Sequence, residues 1–155
     1  VKGNPEVIAG FQSSATLFWS LATLCHLASK VLKHKDLKSP AGHVQDLGEC
    51  AEGWAQHCVK QILFLGGKPT LGGATATDDF TTYSGLFEKV LEPVEALWAK
   101  LNADYVKFIQ LEDADSAHDC KDVIHQLEKH YKWLERQIDV ISFVGEINYV
   151  TAKLA

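Results

Sequence analysis

Apolar residues recur every three to four positions through four long stretches of this chain, the spacing that gives a helix one buried face. The first stretch opens on Asn4-Pro5-Glu6, a capping residue, a first-turn proline and an acid, and carries Ile8, Phe11, Ala15, Phe18, Ala22 and Cys25. It predicts a helix over about 5–33. Ser39-Pro40 repeats the start signal, and Val44, Leu47, Ala51, Trp54, Cys58, Ile62 and Leu65 keep the period until Gly66-Gly67, predicting a helix over 40–65. Phe80, Phe87, Leu91, Val94, Trp98, Leu101, Tyr105 and Phe108 mark a third over 79–111, in which Pro93 removes a backbone hydrogen bond and should introduce a kink. Cys120, Val123, Leu127, His130, Leu134, Ile138 and Ile141 mark a fourth over 117–144, and Gly145 separates it from a short fifth over 146–154.

Between the second and third stretches, Lys68 to Asp78 holds Pro69, two glycines and several threonines, an irregular segment long enough to cross the length of a bundle. Four long helices with one long crossover form the ferritin-like all-α bundle, here followed by a short C-terminal helix. A chain of 155 residues, 46% hydrophobic, suits a single domain spanning 1–155. Its net charge of −5 gives no basic footprint for nucleic acid or an anionic membrane surface. No run approaches the ~20 apolar residues of a membrane span, and Lys2, Asn4 and Glu6 stand where a signal peptide needs its apolar region, so a cytoplasmic location is expected. Cys25, Cys50, Cys58 and Cys120 lack the density of a disulfide scaffold and read as reduced thiols.

Several local features sharpen this picture. Lys2-Gly3 with Val7-Ile8, Ile62 to Gly67 with Pro69 and Leu71, the His130-x-x-Trp133-Leu134-Glu135 segment, and Asn148-Tyr149 together make the chain resemble a bacterioferritin over essentially its whole length. That resemblance implies subunits paired about two-fold axes and assembled into a hollow octahedral shell that holds iron as a ferric mineral. It also implies a dinuclear iron-oxidising site inside each bundle and haem on the two-fold. The dinuclear site of the family takes one Glu from each of two helices and a Glu-x-x-His from each of the other two. The corresponding positions here are Phe18, Ala51 and Trp54, Val94, and Leu127 with His130. Only the last is a metal ligand. Glu95 neighbours Val94 but falls beside the apolar stripe and reads as a surface carboxylate.

The expectation is therefore a ferritin-like shell subunit without its own ferroxidase centre and not itself an enzyme. It would act structurally or co-assemble with an active bacterioferritin subunit, with no metal at the dinuclear site and ferric mineral in the cavity. At the two-fold, Glu52 stands where the family places its haem-ligating Met, beside Trp19 and His26. A carboxylate replaces a thioether poorly, so haem in its usual mode is not expected; the alternative reading is a binding protein that holds haem or another planar cofactor there through His26. Asp46 and Cys50, one turn apart, offer a weak metal site. Cys58 and Cys120 lie one heptad from Ala51 and Leu127 on antiparallel helices, so they should face each other near Phe11 and Leu101, as small core thiols or with a third donor as a soft-metal site. Asp113, Asp115, Asp119 and Asp122 read as a solvated helix start or an acidic iron-entry patch.

Overall fold

Asn4 starts the first helix as its sequence predicts, its side chain accepting a hydrogen bond from Glu6 N at 2.8 Å with Pro5 in the first turn. The computed structural model describes residues 2–154, leaving Val1 and Ala155 outside, and its described residues contain five helices and no strand. These are α1 (Pro5–His34), α2 (Lys38–Phe64), α3 (Tyr83–Gln110), α4 (Ala114–Val144) and α5 (Glu146–Lys153). α1 packs along α2 and α3 along α4, and the two hairpins join chiefly through α1 against α3. The crossover is strapped to α1, because the Gln12 side chain exchanges two 2.8 Å hydrogen bonds with the backbone N–H and C=O of Thr70.

Three boundaries differ from the sequence reading, each for a local reason. α2 begins at Lys38, so Pro40 falls inside its first turn and Leu37 precedes it without a side-chain cap. α3 begins at Tyr83 because Thr82 caps Gly85 N at 2.9 Å, leaving Phe80 in the crossover under Lys89 Nζ. α4 begins at Ala114 because Asp113 accepts from Ser116 N at 3.1 Å. α3 runs unbroken through Pro93. Gly145 stops α4 at φ 86°, a left-handed value that favours glycine, and reverses the chain into α5.

The inner face of α3 also shifts. Val94, Leu97, Leu101 and Phe108 are buried, whereas Trp98 is 42% exposed and donates its indole N–H to Glu128 Oε1 at 3.2 Å. Leu97, at 1% exposure, takes the core position that the spacing from Val94 to Leu101 left open to either residue. α5 is anchored by Tyr149, which is fully buried, packs edge-on to Phe87 and donates to Gln137 Oε1 at 2.7 Å.

α1 is long and apolar enough to cross a membrane by length and composition, the only such helix among the described residues. Its apolar face is accounted for within the bundle, where Val7, Phe11, Ala15, Phe18, Leu21, Cys25, Ala28 and Leu32 are all buried. Serines at 13, 14, 20 and 29 interrupt that composition along its length.

Candidate functional site

Halfway along the bundle, each long helix turns apolar side chains into one shared layer. Phe18 of α1, Ala51 and Trp54 of α2, Val94 of α3 and Leu127 of α4 are all buried, four of them almost completely and Trp54 at 9% exposure. Phe18 and Trp54 meet with ring centroids 5.5 Å apart, and Trp54 meets His130 of α4 edge-on at 6.4 Å. The indole N–H of Trp54 reaches outward to Gln126 Oε1 at 3.2 Å, which satisfies the one polar atom that ring brings in.

His130 is the only titratable group among these six positions. Burial is the chief cause of its depressed pKa; Asp46 pulls the other way, while His43 and Lys129 add to the depression. One imidazole nitrogen cannot complete a shell around two iron ions, which need bridging carboxylates. Among the described residues no group of three or more His, Cys, Asp or Glu side chains is placed to hold a metal ion. The residues at this level do not fit a dinuclear iron centre.

The other positions singled out by sequence fall at three separate places. On the α1–α2 surface, His26 Nε2 stands 3.4 Å from Glu52 Oε1, both side chains partly exposed at 35% and 40%. His26 also lies over Gly48, where an added Cβ would come within 3.3 Å of its ring. Trp19 is on the same helix two turns earlier, about 10 Å along the axis, so it does not join that pair directly. On the second helix, Asp46 and Glu49 both push up the pKa of half-buried Cys50, after burial itself. Asp46 is exposed and faces His130 electrostatically as well.

The acidic start of α4 divides into separate duties. Asp113 caps the helix, Asp119 pairs with His57 Nε2 at 3.2 Å, and Asp122 pairs with His118 at 3.6 Å, one turn earlier on an exposed face. Two features escaped the sequence reading. Lys100 of α3 is largely buried and donates from Nζ to Gly10 O at 3.1 Å, to Ser14 Oγ at 2.9 Å and to Asp104. Glu95 is exposed, as expected, yet it borders a groove of about 510 Å³ with Trp98, Glu128 and Tyr131. The Tyr131 hydroxyl is pushed up to about 12 there, first by the neighbouring Glu135 carboxylate and also by Glu95. The four-residue spacing of Lys100 and Asp104 was readable in advance; their shared contact with α1 was not.

The chain matches the ferritin-like domain family over residues 8–144. Among solved structures it is similar to a mycobacterial bacterioferritin, with a TM-score of 0.93 at 21% identity over 100% of this chain and 96% of that one. It is equally similar to Mycobacterium tuberculosis bacterioferritin BfrA, with a TM-score of 0.93 at 21% identity over 100% of this chain and 98% of that one. At that identity the likeness is one of fold. No curated protein matches the chain by sequence.

Proposed function

Because the chain belongs to the ferritin-like domain family, we propose that it is a cytoplasmic shell subunit for iron storage whose bundle no longer carries a ferroxidase centre. Iron is cargo in this reading, held as mineral in the cavity of an assembly. The observation that carries it is the ring contact between Phe18 and Trp54, which fills the middle of the bundle where two metal ions and their carboxylates would need room. Replacing all of the carboxylates together with apolar residues is energetically coherent, since any one left behind would be a buried unpaired charge.

Self-assembly is supported by apolar side chains left on the surface of the isolated chain, among them Phe143 at 91% exposure and Ile147 at 82%, four residues apart in sequence where α4 gives way to α5. A shell built partly of such subunits would draw oxidised iron from a co-assembled chain that retains all six ligands. The second reading is a planar cofactor such as haem at the two-fold. The donor available for it is His26, and a ligand there would first have to displace the 3.4 Å contact with Glu52.

Native mass spectrometry of the assembly purified from its source, with metal analysis and an absorption spectrum, separates these readings. The expected result is an iron-containing multi-subunit shell in which this chain is accompanied by a second, ligand-complete chain, and no porphyrin band follows this chain. A homomeric assembly with a porphyrin-like band would replace the first reading with the second.

A further inference from the structure

One level away from the Phe18–Trp54 layer, Cys58 of α2 and Cys120 of α4 line the same small cavity, with Phe11 and Leu101 on its walls. Both thiols are nearly inaccessible, at 5% and 3% exposure. The cavity holds about 20 Å³, and ~10–15 Å³ suffices for one water-sized guest. Immediately before each cysteine in sequence, His57 and Asp119 form their 3.2 Å contact, which ties the two helices together at this height.

The charges around the pair decide what the guest could be. Cys120 is the largest charge acting on Cys58 after burial, with Lys100 next and of opposite sign; on Cys120 the largest is Asp104, ahead of Lys100, and Asp119 acts on both thiols in the same direction as Asp104. The nearby oxygen and nitrogen donors are already engaged, Asp104 by Lys100 and Asp119 by His57. Two soft sulfur donors therefore remain on the wall of a single-atom space, and the partly buried ammonium of Lys100, shared with Asp104, is the cation that acts on both.

We propose that Cys58 and Cys120 form a two-coordinate site for a soft monovalent cation, Cu(I), between α2 and α4. Soft thiolates select Cu(I) over the harder divalent ions, and a two-coordinate d10 ion needs no third protein ligand. Binding breaks two S–H bonds and forms two Cu–S bonds, with both protons leaving to solvent and no change in oxidation state. The resulting centre carries one net negative charge, which Lys100 offsets and the Asp104 and Asp119 carboxylates oppose. His57 and Asp119, at 43% and 28% side-chain exposure, form the partly open side through which the ion enters. Without metal, burial pushes both thiols up to about 12 and keeps them protonated and unreactive. The inference stands whether or not the shell stores iron.

The test is an anaerobic titration of the reduced, intact assembly with Cu(I) in competition with the chelator bicinchoninate. One ion per chain is expected, with affinity rising about 100-fold per pH unit because two protons are displaced. Cys58→Ser and Cys120→Ser should each weaken binding by at least about 100-fold, while Cys25→Ser and Cys50→Ser leave it unchanged. Should the first two variants fail to fold, the native chain still decides the question. Cu(I) must then protect Cys58 and Cys120 from alkylation on brief denaturation, and X-ray absorption must show two sulfur neighbours and no nitrogen. Protection of Cys50 instead, a nitrogen-containing shell, a Cys58–Cys120 disulfide in the protein as isolated, or binding indifferent to both substitutions would each overturn the proposal.

Discussion

Leu127→Glu is expected to lose about 3 kcal/mol of stability, relative to the parent chain, between about pH 5 and about pH 7.5. Leu127 is fully buried in the layer that contains Val94, Phe18 and Trp54, so a carboxyl placed there meets little water, and its one titratable neighbour in the layer, His130, has its own charged form disfavoured by burial. Burial would raise its folded pKa toward ~8 from ~4.3 in the unfolded chain. In that window the folded state holds a proton that the unfolded state has released, so stability falls as pH rises. The substitution restores the acid-x-x-His spacing with His130, which makes it a stringent test of whether the layer can still accept metal. Urea unfolding at both pH values, at fixed protein concentration, reads the difference. A variant whose stability relative to the parent is independent of pH would mean that the layer is hydrated and open; rescue at pH 7.5 by added ferrous iron would mean that metal still fits there.

Phe18→Ala is expected to cost about 3–5 kcal/mol, because a fully buried ring is lost and the layer can close over the space only in part. Phe18 is 1% exposed and its ring faces Trp54 at 5.5 Å, so the substitution removes the contact that fills the centre of the bundle. The unfolding midpoint at fixed protein concentration measures it, with assembly held constant since oligomers add concentration-dependent stability. A loss below about 1 kcal/mol would show that the ring is loosely held and that the space it occupies is not required to be filled.

Much of this architecture was legible because helix periodicity and end signals are local. Asn4-Pro5, Gly145 and the apolar stripes through Phe18, Ala51, Val94 and Leu127 mark starts, stops and inner faces without reference to the rest of the molecule. The periodicity could not decide between Leu97 and Trp98, since both lie within the angular width of an apolar face, and only the packing of α4 settles that Trp98 points outward to Glu128. The starts of α3 and α4 were misplaced because Thr82 and Asp113 cap through side-chain hydrogen bonds, which composition alone does not rank against neighbouring acids and threonines.

The candidate site was legible in a different way. The six positions came from resemblance, and only their chemistry, five residues without a metal-binding group and one imidazole, was readable from the residues themselves. The meeting of Phe18 with Trp54, and of His57 with Asp119, depends on how each helix is rotated about its axis, which no single stretch encodes. The Lys100 network was hidden for the same reason. Its partners Gly10 and Ser14 lie on another helix, 90 and 86 residues away in sequence.

The most direct measurement is an anaerobic titration of the purified, iron-free protein with ferrous iron, followed by admission of oxygen while absorbance and oxygen uptake are recorded. The bundle described here should show no saturable binding of two ferrous ions per chain and should oxidise iron no faster than buffer with an inert protein. Two ions bound per chain followed by rapid oxygen consumption would contradict it.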